Sequence, residues 1–306
     1  MKNPILLLVI FLMMTTIGHS QEWFTSLEIA KKLAKTQDKM LFVMWEDALG
    51  DYYPVTVNDE NDSKIIVNLS KNEHLASMIW DYFVPVLILE TDYEELSKNI
   101  KETRGTKYFD KLVDDSIKIM DINGNILNIN TSIEYNYENI TEYFNRYALN
   151  TSYIKQELEN YFKDKNATTA FLLASKYQDF AIFVNRSVRL ELLNLSDIYF
   201  NEAKKQLKES SFKNKMGFLQ KIELLQIKEF LILEKPKKAR RFLKKTESDS
   251  IDKINQPLYS LLNYITLKLL RDEDEADLWK SKISLVDLKK AQLIININKI
   301  NIGKSN

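Results

Sequence analysis

Six apolar residues stand in a row at Met40-Leu41-Phe42-Val43-Met44-Trp45. A run without alternating polar positions is typical of a strand that is covered on both faces of its sheet. A second run of this kind follows at Phe83-Val84-Pro85-Val86-Leu87-Ile88-Leu89. The spacing of apolar residues predicts a helix before each strand, over 26–35 and 72–81, with Ser26 as the first N-cap. These strands and helices alternate as in an α/β domain.

Two hairpins and a closing helix complete the predicted first half. Asn123-Gly124 is a favoured two-residue turn, so Ile117–Met120 and Ile126–Ile129 are predicted to pair as a hairpin. The stretch 54–67 is interpreted as an inserted hairpin, and 134–149 as a helix. We therefore expect an α/β domain over residues 22–150.

The second half of the chain shows almost no strand pattern. Residues 151–290 contain one amphipathic stretch after another, which predicts an all-α domain. The predicted helices are 153–162, 168–183, 188–208, 216–234, 237–245, 258–270 and 273–283. The last residues, 291–306, are rich in Asn, Ile and Lys and are interpreted as a frayed tail or a short edge strand.

Composition restricts the function. The 306 residues are 45% hydrophobic and 28% charged, as in folded globular proteins. Lys and Arg together number 43, as do Asp and Glu, so no charge excess indicates nucleic acid as a partner. The sequence contains no cysteine, which excludes thiol–disulfide chemistry.

The N-terminus has the pattern of a signal peptide over residues 1–20. Lys2 precedes an apolar core at 5–14, and Gly18 and Ser20 supply the small residues of a cleavage site. An uncleaved anchor is the alternative. No later segment is long and apolar enough to span a bilayer, so we expect no stable membrane insertion after cleavage. The predicted location is periplasmic or secreted.

Local motifs of the first half also occur in a known family. Trp23-Phe24-x-Ser26-Leu27-x-x-Ala30 precedes the first strand, and 115–124 leads through a strand into a polar turn. With the order of helices and strands, these motifs resemble the thioredoxin-like proteins that bacteria export. The resemblance implies a thioredoxin-like domain over 22–150.

The resemblance also gives the missing cysteines a location. It places Leu49-Gly50-Asp51-Tyr52 where the family carries Cys-Gly-Pro-Cys, and Asp115 where the family has a cis-proline. A cis bond before a non-proline residue costs about 3–4 kcal/mol, so a trans bond is expected there. The former active-site positions are therefore Leu49, Gly50, Asp51, Tyr52 and Asp115, in a domain that is redox-inactive.

The helical half carries a weaker pattern. Ala239 and Ala276 each open a second helix and lie about one tetratricopeptide period apart, which is roughly 34 residues. This spacing resembles a degenerate tetratricopeptide array, and generic helix packing is the alternative.

Carboxylates are the main candidates for chemistry. Five of them lie at or opposite the former active-site loop: Glu46, Asp47, Asp51, Asp114 and Asp115. Paired acids can bind a hard cation or share a proton, while the plain alternative is a solvated acidic loop. His74 is the one histidine left after signal cleavage and is interpreted as a helix surface residue, so no His-based metal site is predicted. Phosphate-loop and dinucleotide motifs are absent, and no cofactor is expected.

Two function hypotheses follow. The first is a non-catalytic, exported protein-binding or scaffold protein built on a redox-inactive thioredoxin-like domain, with another protein as its partner. A structural module for envelope assembly belongs to the same class. The second is an enzyme that uses the acidic cluster, with or without a divalent metal.

Overall fold

A computed structural model describes residues 22–130, 137–209 and 214–299. Within these ranges the chain divides into two compact units. The first unit contains residues 22–120 and 137–149, and the second contains residues 121–130 and those from 150 onward. The proposed signal peptide lies outside the described residues.

The first unit is mixed α/β. Its strands are β1 (Met40–Trp45), β2 (Pro54–Asn58), β3 (Lys64–Asn68), β4 (Phe83–Ile88), β5 (Lys118–Met120) and β6 (Glu138–Asn139). Its helices are α1 (Leu27–Gln37), α2 (Glu46–Leu49), α3 (Glu73–Tyr82), α4 (Glu90–Thr103), α5 (Thr106–Val113) and α6 (Ile140–Tyr147). Both predicted apolar runs are strands, and Ser26 caps α1 by accepting from the Ile29 N–H.

The strands form two small sheets. In the order β4–β1–β5, β1 pairs in parallel with β4, with Met40 opposite Phe83, and antiparallel with β5. All six residues of β1 are buried, as its unbroken apolar sequence predicts. The second sheet has the order β3–β2–β6, and its β2–β3 pair is the hairpin predicted at 54–67.

The second unit is helical. Its α-helices are α7 (Lys155–Lys163), α8 (Ala167–Phe183), α9 (Arg186–Glu209), α10 (Lys215–Ile232), α11 (Pro236–Leu243), α12 (Gln256–Leu269), α13 (Glu273–Lys280) and α14 (Leu285–Lys299). Consecutive helices from α7 to α13 pack on one another, and α10, α12 and α14 also share a core. Ala239 and Ala276 are fully buried in that core, where small side chains let the second helices approach closely. The all-α prediction for this half is confirmed.

Two boundaries differ from the sequence prediction. Asn123-Gly124 forms a turn, and Gly124 has a positive φ of 84°, but the residues after it form no second strand. The segment 121–130 belongs to the helical unit instead, because buried side chains of that unit bind it. The predicted tail is also wrong for residues 291–299, which complete α14 and bury Ala291 and Ile294.

Among the residues that the structure describes, no helix has the length and apolar character needed to cross a membrane.

Candidate functional site

Residues 49–52, the positions that the resemblance proposes as a former active site, follow shortly after β1. Glu46–Leu49 form the one-turn helix α2, which ends at Gly50 with a positive φ of 40°. The backbone carbonyl of Asp51 accepts hydrogen bonds from Asn68 Nδ2 at 3.1 Å and Ser70 Oγ at 2.9 Å. Tyr52 is 66% exposed. The loop is therefore held by its backbone, and its side chains point outward.

Part of the predicted acidic cluster does meet in one place. Glu46, Asp47 and Asp115 line a cleft of about 210 Å³ beside Trp45, together with Glu90, which the sequence did not suggest. Asp51 and Asp114 do not line this cleft. Within the described ranges, no group of three or more acidic or histidine side chains is placed to hold a metal ion. The peptide bond at Asp115 is trans, as expected.

Asp114 takes part in a different arrangement, a buried cluster with two lysines. Lys118 donates to the Asp114 backbone carbonyl, and its Nζ lies 3.3 Å from Asp114 Oδ1. Lys111 donates to Ser116 Oγ, which in turn donates to Asp114. Burial lowers the pKa of Lys118 to about 8 and also lowers the pKa of Lys111. Ser116 and both lysines are at least 95% buried and offer little surface to a substrate, whereas the Asp114 side chain is 43% exposed.

Glu138 accepts hydrogen bonds from three segments of the first unit. The sequence analysis placed it inside a predicted helix and did not identify this role. Its carboxylate accepts from Tyr53 Oη at 2.6 Å, from the Ile117 N–H at 2.9 Å, and from Tyr143 Oη. Burial and the adjacent Glu138 charge raise the pKa of Tyr53. One carboxylate thus fastens the loop before β2, the segment before β5, and α6. His74 lies exposed on α3, as predicted.

In the second unit, Asp121 binds the turn that was predicted as a hairpin. It is fully buried and accepts from the backbone N–H groups of Asn123 and Asn125, each at 2.9 Å. Tyr177 Oη donates to it at 3.2 Å, and Tyr199 Oη also donates to it. Burial raises the pKa of Asp121, and it raises those of the two tyrosines. This arrangement explains why 121–130 folds with the helices.

The second unit contains a groove of about 490 Å³. Four alternate helices, α8, α10, α12 and α14, supply most of its lining, together with the 3₁₀ turns at Thr151–Ile154 and Lys253–Asn255. Buried apolar residues such as Phe171, Leu225 and Leu261 form its floor. Its volume lies within the range of roughly 300–1,000 Å³ that is usual for binding pockets.

Exposed apolar side chains surround the groove. Five large ones are at least 40% exposed and line it: Tyr153, Leu172, Phe183, Ile254 and Leu293. Single exposed apolar residues are ordinary, but a set gathered around one recess marks an interaction site. We name this surface the α8–α14 groove.

Few charged groups line the α8–α14 groove. Lys228 forms a 2.6 Å ion pair with Asp179, and Lys290 lies 3.8 Å from Asp287. Lys221 Nζ lies 5.5 Å from the centre of the Phe171 ring, and no described carboxylate is within ion-pair distance of it. The groove therefore combines an apolar floor with a small positive excess.

A buried polar pair joins two walls of the groove. Gln178 on α8 donates through Nε2 to the Leu225 carbonyl at 3.0 Å and to Glu229 Oε1 at 2.7 Å, both on α10. Gln178 is fully buried, and Glu229 is 7% exposed. Burial, with a further contribution from the Asp197 carboxylate, raises the pKa of Glu229 to about 8.

Sequence reasoning predicted α8, α10 and α12 but not α14, and it did not find the groove. Its residues come from six segments spread over about half the chain, and no local spacing joins them. A partial signal was present in α8, where Phe171, Leu172 and Leu173 are consecutive and only Phe171 and Leu172 line the groove.

Comparisons with family models, with curated proteins and with solved structures gave no match to this chain.

Proposed function

We propose that this protein is a non-catalytic, exported binding protein that captures an apolar segment of another protein in the α8–α14 groove. The observation that carries the proposal is the set of five exposed apolar side chains around one recess with a buried apolar floor. A soluble protein gains stability by burying such side chains, so their exposure at a concave surface favours an occupant.

The first unit supports the scaffold part of the proposal, and the N-terminal sequence supports the proposed location. The proposal that it is a redox-inactive thioredoxin-like domain is supported by the parallel β1–β4 pair, by β5 antiparallel beside β1, and by Leu49 and Tyr52 at the former cysteine positions. Residues 121–130, the described segment after β5, form no second hairpin strand, which departs from the family pattern. Export to the periplasm or outside the cell is proposed from the signal-peptide pattern at 1–20.

The alternative, a carboxylate-based enzyme, draws on the cleft lined by Glu46, Asp47, Glu90 and Asp115. That cleft has less than half the volume of the α8–α14 groove. In the described part of the chain no trio of acids is arranged around a common point for a cation. The binding function is therefore the better supported of the two.

Site-specific photo-crosslinking in the producing cells tests the proposal. A photoreactive amino acid replaces Leu172 or Leu293 in the full chain, and Leu190 serves as the matched control. Leu190 is 46% exposed on α9 and does not line the groove. We expect adducts of one common mass from positions 172 and 293 and none of that mass from position 190. Equal adducts at all three positions, or none at the groove, would contradict a groove-based function.

A further inference from the structure

The walls of the α8–α14 groove restrict the backbone conformation of an occupant. Helices supply most of the lining, and the N–H and C=O groups of a helix interior bond to each other. A helical wall therefore offers a bound segment few backbone partners. An extended segment buried here would leave its own N–H and C=O groups unpaired, whereas a helix satisfies them internally.

The charges restrict the side chains of the occupant. Asp179 neutralises Lys228 at 2.6 Å, whereas Asp287 holds Lys290 only at 3.8 Å. Lys221 has an aromatic ring below it and no described carboxylate within ion-pair distance. Because a partly desolvated ammonium gains most from an acidic partner, the occupant should bring carboxylates to Lys221 and Lys290.

The same charges disfavour nucleic acid. Three lysines and two aspartates line the groove, which leaves an excess of one positive charge. Sites for single-stranded nucleic acid need a continuous basic track along the phosphates. A basic track of that kind is not among the lining residues.

We propose that the α8–α14 groove binds an amphipathic α-helix of a partner protein, with its apolar stripe on the groove floor and acidic side chains beside Lys221 and Lys290. This inference rests on the proposed function and names the partner's chemistry. It corresponds to recognition of a helix in a groove through apolar anchors at i, i+3, i+4 and i+7.

Three labelled synthetic peptides of about five helical turns, roughly 18 residues, test it against the full chain. The first has Leu at i, i+3, i+4 and i+7 with Glu on both flanks of the stripe. The second has Lys in place of each Glu. The third has the composition of the first in an order that places Leu on all sides of the helix. Fluorescence anisotropy measures each dissociation constant.

The charge-reversal variant Lys221→Glu supplies the decisive comparison. We expect it to weaken binding of the Glu-flanked peptide about tenfold and to strengthen binding of the Lys-flanked peptide, which corresponds to about 1.4 kcal/mol in each direction. Lys205→Glu, on an exposed position of α9 outside the groove, should leave both constants unchanged. Because Lys221 is only partly buried at the groove and Lys205 is exposed, circular dichroism should show the same helical content for both variants.

Several outcomes would overturn the proposal. They are equal binding of the first and third peptides, no change of charge preference in Lys221→Glu, and no binding of the first peptide up to about 1 mM, the weakest range of specific association. Saturable binding of laurate in the groove, with no binding of the peptides, would assign the groove to an anionic amphiphile instead. If groove crosslinks to a partner persist while the helical peptides fail, the binding function stands and the partner class is wrong.

Discussion

Gln178 donates a 2.7 Å hydrogen bond to Glu229, and this pair bridges α8 and α10 at the wall of the α8–α14 groove. The amide oxygen of Gln178 is buried and lacks a hydrogen-bond partner. A protonated Glu229 completes the pair, because its carboxylic acid O–H can donate to that oxygen while its carbonyl oxygen accepts. The raised pKa of Glu229 agrees with this neutral form.

The first prediction concerns how stability depends on pH. The folded-state pKa of Glu229 is about 8 and its ordinary value is 4.5, so the folded protein binds more protons than the unfolded chain between these values. The free energy of unfolding should therefore fall as pH rises from about 4.5 to 8 and become level above 8. Lys204 and Lys228 reduce the effect, whereas Asp197 on α9 adds to it.

Glu229→Gln isolates this contribution. An amide at position 229 can donate to Gln178 and accept from it at every pH, so the variant should be more stable than the parent by about 2 kcal/mol at pH 8. At pH 5 the two proteins should differ little. Denaturant unfolding followed by far-ultraviolet circular dichroism at both pH values checks this. Glu223→Gln, an exposed change on the same helix, should show no such difference. A parallel pH dependence in parent and Glu229→Gln would show that Glu229 is ionised in the folded state.

A second prediction uses two adjacent tyrosines of the first unit. Tyr53 donates to the buried Glu138 carboxylate at 2.6 Å, whereas Tyr52 is 66% exposed. Tyr53→Phe removes one donor from a buried charge and should lower the free energy of unfolding by about 1–3 kcal/mol. Tyr52→Phe should change it by less than about 0.5 kcal/mol. Tryptophan fluorescence reports mainly this unit, since Trp23, Trp45 and Trp80 lie in it and Trp279 lies in the other. Equal effects of the two substitutions would show that Glu138 does not depend on Tyr53.

How much the sequence alone predicts differs between these features. The strands β1 and β4 were predictable because a short, unbroken apolar run is typical of a buried strand. Most helices of the second unit were predictable from their periodicity, but α14 was not and was interpreted in part as a tail. The turn at Asn123-Gly124 was also recognised, but its role was not, because the partners of Asp121 lie 56 and 78 residues away at Tyr177 and Tyr199.

Separation along the chain also explains which parts of the candidate site could be predicted. The acids of the small cleft are partly local in sequence: Glu46 and Asp47 were identified from the loop that carries them, and Asp115 from the resemblance that places it opposite that loop. The α8–α14 groove brings together residues as far apart as Tyr153 and Ile294. The groove exists because of the way the helix pairs stack. The hydropathy of a single stretch of sequence does not predict that stacking.

A third prediction tests the anchoring of the turn by Asp121. Asp121→Asn replaces one acceptor oxygen by an amide donor, so either the two backbone N–H groups or the two tyrosine hydroxyls lose their acceptor, which should cost about 1–3 kcal/mol. Tyr199→Phe should cost a similar amount. The double variant should lose less than the sum of the two, with a coupling of about 0.5–3 kcal/mol, because both changes break one contact. Denaturant unfolding of the four proteins measures the coupling, and the exposed Asp249→Asn is the control. Strict additivity would contradict a direct Asp121–Tyr199 interaction.

The last prediction concerns Gly217, which lies in the first turn of α10 against the segment that carries Ile254. A Cβ added there would lie 2.7 Å from Asn214 Nδ2 and 2.7 Å from Asp252 Oδ2. Asn214 caps α10 by accepting from the Gly217 N–H at 3.2 Å, and it also donates to Asp252 at 3.2 Å. Gly217→Ala must displace these side chains, so it should lower the free energy of unfolding by about 1 kcal/mol although alanine favours helices.

Gly105→Ala provides the matched comparison, since a Cβ at Gly105 would have no heavy atom within 4 Å. That substitution should be neutral or slightly stabilising, because it lowers the conformational entropy of the unfolded chain. Asp252 also accepts from the Ile254 N–H, so Gly217→Ala should move Ile254 at the edge of the groove. We therefore expect Gly217→Ala, and not Gly105→Ala, to weaken binding of the Glu-flanked peptide. Unchanged stability and unchanged peptide affinity in Gly217→Ala would show that Asn214 and Asp252 do not hold this edge of the groove.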